Sequence, residues 1–249
     1  MKVELINRTT WALETLLYTK NTRLQGEQTF DDVCHWSEEK KLVHLAYMKD
    51  TIQSSWEFVD YIFELSGVTR AFTHQLVRTR TASFAQESQR TVDVSNHEVI
   101  NTSGKKMFDS FAIEAMENYR TMIEDNDMAI QDARGILPTN ISTSIIVKLN
   151  LRTLHDMGLL RLCFRTQGEY QRAFELMRDC VFSVHPWAKD FIKVHCAWYG
   201  SCAFPRYKEC PVKSDYRTAC DQSQKDYYQR EWDTFDYEAN PQAKGGMTQ

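Results

Sequence analysis

Between Gln75 and Arg90 the chain reads Gln-Leu-Val-Arg-Thr-Arg-Thr-Ala-Ser-Phe-Ala-Gln-Glu-Ser-Gln-Arg. Arg78 and Arg80 stand two apart, seven residues separate Arg80 from Ser88, and Arg90 follows. Three guanidiniums, a serine hydroxyl and two amides, Gln75 and Gln86, make an anion-binding inventory. A guanidinium presents a planar fork of N–H donors that matches two phosphate oxygens at once. Two further arginine groups lie downstream. Ala133-Arg134-Gly135-Ile136-Leu137-Pro138 sets Arg134 ahead of a proline stop. Asn150-Leu151-Arg152-Thr153-Leu154 leads to Leu160-Arg161 and then to Arg165-Thr166-Gln167-Gly168-Glu169. Any one of these arginines reads equally well as a surface ion pair. Their recurrence singles them out together.

Elements must position these residues. Residues 3–6 are β-like, and Ser37 is a candidate helix cap with Glu38 and Glu39 in the first turn. Leu42, Leu45, Ala46 and Lys49 continue that helix at its natural period. Residues 58–65 alternate and predict a strand. Residues 69–79 return to helical spacing through Phe72 and Leu76, which places Arg78 and Arg80 at a helix end. The chain must then turn before a strand-like stretch at 89–94, and that turn can present Ser88, Arg90 and backbone amides to one ligand. Phe108, Phe111, Ala112, Ala115, Met116, Tyr119, Met122 and Ile123 share one helical face. Residues 130–137 predict a short helix stopped at Pro138, 144–149 a β-branched strand, and the stretch from Asn150 a helix through Leu154, Met157 and Gly158. A last helix over 169–184 turns Tyr170, Ala173, Phe174, Met177 and Val181 inward. Strands and helices mix without a regular βαβ rhythm, so a single α+β domain is expected over 1–239, with 240–249 a disordered tail.

Bulk properties narrow the class. The chain has 249 residues, 42% of them apolar and 26% charged, and a net charge of −4. That charge gives no general pull toward nucleic acid or anionic membrane. No apolar run approaches the roughly 20 residues that span a bilayer, and the first residues carry no secretory leader pattern. Seven cysteines without an export signal read as free thiols in a reducing cytoplasm. Cys196, Cys202, Cys210 and Cys220 with His195 lack the tight pairing of zinc sites, so no metal is expected. His35, His44, His97 and His185 show no ligand spacing and read as surface or capping groups.

The Arg78–Ser88 spacing resembles the signature of the flavin-dependent thymidylate synthases, Arg-His-Arg, seven residues, then serine, with Thr79 in the histidine's place. Ala133, Arg134, Leu137 and Pro138 resemble that family's Glu-x-Ala-Arg-x-x-Leu-Pro segment, with Gln131 for the glutamate. The stretch from Asn150 resembles its Asn-x-Arg-Ser-Leu helix and the Leu-Arg continuation; Asp156 replaces an asparagine and Arg165 stands near a histidine position. Ser54-Ser55-Trp56-Glu57-Phe58 is similar to its His-x-Thr-Pro-Phe-Glu-His box; Glu57 is kept, while Ile52 and Phe58 replace the histidines. The four boxes fall between about Lys49 and Tyr170 in the family's order.

The resemblance implies a mixed, largely antiparallel sheet packed by helices, in a homotetramer with shared active sites. It assigns Gln75, Gln86, Ser88, Arg90, Arg134 and Arg161 to a pyrimidine nucleotide, with Arg161 and Ser88 catalytic. It assigns Ser54, Arg78, Thr79, Arg80, Asn150, Arg152 and Asp156 to FAD. The implied reaction moves a one-carbon unit from methylenetetrahydrofolate to C5 of dUMP, with reduced FAD as hydride donor and NADPH restoring it. The departures at Thr79, Ala85, Gln86, Thr91, Gln131 and Asp156 keep a sibling reaction on dCMP in view. Gln86 is expected to flip its amide to suit either base. A nucleic-acid-binding module built on Arg78, Arg80 and Arg90 is the third reading, and the acidic net charge opposes it.

Overall fold

Four strands make one sheet: β1 (Lys2–Arg8), β2 (Asp60–Thr69), β3 (Ser83–Gln86) and β4 (Ser142–Asn150), in the order β1-β2-β4-β3. The computed structural model describes residues 1–22, 28–204 and 210. The expected tail and Cys220 lie outside the described residues.

The sheet is built on its central pair. Tyr61 lies opposite Leu149, Phe63 opposite Val147, and Leu65 opposite Ile145. All six side chains are buried. Alternation turns Ile62, Glu64, Ile146 and Lys148 to the opposite face. Each large buried apolar side chain contributes about 1.5–3 kcal/mol, so this row fixes the register. All pairings in the sheet are antiparallel, which corrects the expectation of a mixed sheet. Gly67 supplies a bulge in β2 at φ +62°, where a Cβ would stand 3.2 Å from the Met1 nitrogen.

Helices cover the buried face. In chain order the helices of the described residues are α1 (Ala12–Tyr18), α2 (Phe30–Cys34), α3 (Glu38–Thr51), α4 (Arg70–Leu76), α5 (Lys106–Glu124), α6 (Ile130–Ala133), α7 (Leu151–Arg161), α8 (Gly168–Val184) and α9 (His195–Tyr199). Ser37 caps α3 as expected, its hydroxyl accepting from Lys40 N at 3.3 Å. α8 packs on β1 and β2. α7 packs on a 3-10 turn, Gln53–Phe58, whose Trp56 is fully buried edge-on to His155 and Phe191. A second, smaller core joins Met116 and Tyr119 of α5 to Val94, Ala133 and Ile141. No helix among the described residues is long and apolar enough to cross a membrane.

Two strands run straight into helices, β2 into α4 and β4 into α7. At the first junction Thr69 Oγ accepts from Phe72 N at 3.0 Å. At the second, Asn150 Oδ1 accepts from Thr153 N at 2.8 Å. Thr69 pairs with Ser142 and Asp60 pairs with Asn150, so the two helix starts lie at opposite ends of one ladder. β3 then runs along β4 from Lys148 to Ile145 and connects the two ends.

Two expectations need correction. The strand lies at 83–86, and residues 89–94 form turns, with Val92 N bonded to Ser88 O at 3.1 Å. Val94 points into the smaller core rather than into a sheet. The apolar face of α5 is wider than its cover: Ala112, Met116 and Tyr119 are buried, while Phe111 stays 66% exposed and Phe108 39%.

Candidate active site

The start of α4 gathers one set of residues. Arg70 Nη1 donates to Glu87 O at 3.0 Å, and Gln86 Nε2 donates to Thr73 Oγ at 2.7 Å. These bonds hold the segment that leaves β3 against the first turn of the helix. Ser88 and Arg90 follow, both exposed, with Arg90 N bonded to Ser88 Oγ at 3.2 Å. Arg90 Nε reaches Gln131 Oε1 at 3.3 Å, which brings α6 and the adjoining Arg134 to the same place. Burial lowers the pKa of Arg70; the charge of Glu87 opposes the shift, and that of Arg134 adds to it. The Nε of Arg70 is buried without a partner. Gln75, one turn further along α4, is exposed.

Below this set lies a polar anchor. Glu87 accepts from Thr143 Oγ at 3.1 Å and meets His97 Nε2 at 3.0 Å. Glu169, at the start of α8, accepts from Thr69 N at 2.7 Å and from Thr69 Oγ at 2.6 Å. A carboxylate holding two donors on a buried threonine pins α8 to the β2–α4 junction.

The start of α7 gathers the second set. Thr153 Oγ donates to Thr81 Oγ at 3.0 Å, which brings the Arg78-Thr79-Arg80 turn against α7. Arg152 pairs with Glu57 at 2.8 Å, tying the 3-10 turn that carries Ser54 to the same place. Asn150 spends its oxygen on the helix cap. Asp156, one turn along α7, is exposed. Arg161, at the end of α7, lies 4.2 Å over the ring of Tyr170. Tyr170 is buried edge-on to Phe72, at 5.0 Å. Burial raises the Tyr170 pKa, while Arg161 and Thr79 beside the phenol act against that shift; neither meets ordinary hydrogen-bond geometry with its oxygen. Tyr170 therefore joins Arg161 to the arginine turn.

Among the described residues, Arg78, Arg80 and Arg134 form no ion pair with an acidic side chain. Three exposed guanidiniums without a counter-charge leave their donors open for an anionic ligand. That donor set fits the phosphate groups of a nucleotide and of a flavin dinucleotide.

The arginines singled out in sequence are thus divided between the two ends of β3, while Arg161 is linked through Tyr170 to the arginine turn. Sequence reasoning missed Arg70, Thr73, Glu87 and His97. Only Arg70 had a visible signal, a further arginine eight residues before Arg78. The surface or capping role expected for the histidines holds for His35, which ends α2. It holds also for His185, which ends α8 and whose Nδ1 in addition bonds the buried Tyr61 hydroxyl at 2.9 Å, and fails for His97, bound to Glu87. In this arrangement the Gln86 amide turns its Nε2 to Thr73 and leaves Oε1 without a donor among the described residues.

Comparison with known proteins shows the family. Residues 4–187 match the family described as thymidylate synthase complementing protein. A flavin-dependent thymidylate synthase of Pyrococcus furiosus is 30% identical over 222 residues, covering 81% of this chain and 89% of that protein. One from Nitratidesulfovibrio vulgaris is 32% identical over 179 residues, covering 66% of this chain and 73% of that protein. The crystal structure of a flavin-dependent thymidylate synthase from Helicobacter pylori, complexed with FAD and dUMP, superposes with a TM-score of 0.65. It is 20% identical and covers 78% of this chain and 100% of that one, a likeness of fold. With most of its length matched and its four motif boxes folded onto one sheet and its flanking helices, the chain belongs to the thymidylate synthase complementing protein family, that of the flavin-dependent thymidylate synthases.

Proposed function

We propose that this chain is a flavin-dependent thymidylate synthase, transferring a one-carbon unit from methylenetetrahydrofolate to C5 of dUMP. The observation that carries this reading is the set of uncompensated guanidiniums, Arg78, Arg80 and Arg134, displayed around β3 in a chain of this family. When bound, FAD supplies the hydride that completes the methyl group, and NADPH restores it. The protein supplies position and charge.

In this reading Ser88, Arg90 and Arg134 hold the nucleotide phosphate, with Gln75 and Gln86 beside them. Arg161 lies along the pyrimidine ring. A fixed cation there stabilises negative charge as C5 becomes nucleophilic, and the Tyr170 ring holds the planar guanidinium in place. Ser88 is the catalytic neighbour in the same segment. Arg78, Thr79, Arg80, Ser54, Asn150, Arg152 and Asp156 face the flavin. The side-chain N–H groups of Asn150 remain available, because its cap uses only the oxygen.

The assembly in this reading is a homotetramer with shared sites. Two observations support it. The nucleotide and flavin sets lie at the two ends of β3, whose four residues span about 10 Å at roughly 3.3 Å per residue. The outer face of α5 leaves Phe111 and Phe108 uncovered.

Isotope transfer tests the reaction. Label from methylenetetrahydrofolate is expected in dTMP when dUMP, NADPH and FAD are supplied. Label entering deoxycytidylate alone would replace this reading with the sibling one.

A further inference from the structure

Thr73 is fully buried on α4, and its hydroxyl donates to Arg70 O at 2.9 Å. That bond uses the hydroxyl's only proton. Toward any other neighbour the oxygen can only accept, and Gln86 stands 2.7 Å from it. While that bond is kept, Gln86 offers its NH2. A flipped amide would meet a lone pair, or would take the hydroxyl's proton away from Arg70 O, at a half-buried site. The next residue is held too, since Arg70 Nη1 donates to Glu87 O at 3.0 Å. Two adjacent residues are thus bound to one helical turn, which keeps Gln86 beside Thr73. Among the described residues nothing donates to Gln86 Oε1, so this oxygen is left as an acceptor for a ligand.

We infer that Thr73 is a positioning residue that locks Gln86 as an outward acceptor, so that the nucleotide must bring a hydrogen-bond donor to this point. The inference rests on the nucleotide reading given above. It replaces an adaptable amide with a selective one. dUMP offers such a donor from two places, the N3–H of uracil and the 3′-hydroxyl of the sugar. At N3 cytosine presents a lone pair instead, which a fixed acceptor rejects.

The test titrates the full-length, FAD-loaded protein with dUMP, dCMP and 2′,3′-dideoxyuridine 5′-monophosphate by calorimetry. The unaltered protein should bind dUMP about fivefold or more tightly than the compound lacking the contacted donor. A deficit for dCMP identifies N3–H, and a deficit for the dideoxy compound identifies the 3′-hydroxyl. Thr73→Val should shrink that advantage to within about twofold, and Thr73→Ser should restore it. Equal binding of all three by the unaltered protein overturns the lock. So does a Thr73→Val protein that keeps the full advantage, or one that weakens all three nucleotides alike. No binding of any of them overturns the functional reading and the lock with it. Should Thr73→Val fail to fold, NMR of the unaltered protein decides. A nuclear Overhauser contact between the Gln86 Nε2 protons and the Thr73 methyl is expected, and a freely rotating amide sinks the lock.

Discussion

Among the described residues Arg90 commits one of its five side-chain N–H donors, to Gln131, and the rest remain for a ligand. Arg90→Ala should therefore raise the dUMP dissociation constant about tenfold or more, the effect of losing a charge-assisted contact of roughly 1.5–3 kcal/mol. An unchanged constant in titration calorimetry removes Arg90 from the phosphate site. Arg161→Lys keeps the charge but gives up the planar face on Tyr170. Turnover is expected to fall about tenfold or more while dUMP affinity changes less, because the cation acts on charge that develops during reaction. Steady-state kinetics beside direct binding separates the two. At this scale the sequence was informative about the arginines, since their type and spacing declare their chemistry. It was silent about Thr73, Arg70 and Glu87. Threonine and glutamate are common residues, and these act through contacts that exist only once β3 lies against α4.

Glu169 shows how a whole element is held by one side chain. Glu169→Gln weakens two charge-assisted bonds to Thr69 and should destabilise the protein by about 1–3 kcal/mol. The melting temperature should drop by several degrees, and an unchanged melt would deny the anchor. His185, at the end of α8, joins that helix to β2 through Tyr61. Burial lowers its pKa below the ordinary value of 6.5, and the charge of Arg8 adds to the effect. The unfolded chain then binds a proton more readily than the folded one. Stability should decline as pH falls from 6.5 toward the lowered folded-state value. Melting curves of His185→Phe and the unaltered protein, compared across that window, should show a shallower pH dependence in the variant. Helices with a sustained period, α5 and α8, were legible. β3 was not: four residues carry too little alternation to register, and apolar Val92 and Val94 beside it suggested a strand where the chain only turns.

The molecule as a whole leaves unfinished surface. The uncovered side of α5 predicts association, and light scattering should give a mass near four chains. Phe111→Glu should reduce that mass and weaken FAD binding together. A monomer that still binds FAD would separate the flavin site from the assembly. The α+β class could be read from the alternation of patterns along the chain. The cover of α5 could not, because periodicity reports which face is apolar and not what lies against it. One consequence of the architecture concerns distance. Both strand-to-helix junctions lack a loop, and they close opposite ends of the β2–β4 ladder. The ladder is thus a gauge. The spacing between its two helix starts is set by a number of residues, not by the lie of a flexible connection. Removing two facing residues from each strand would draw the two ends together by about 7 Å while returning every side chain to its own face. Such a protein would give up one buried side chain from each strand and lose the fit between its two sites.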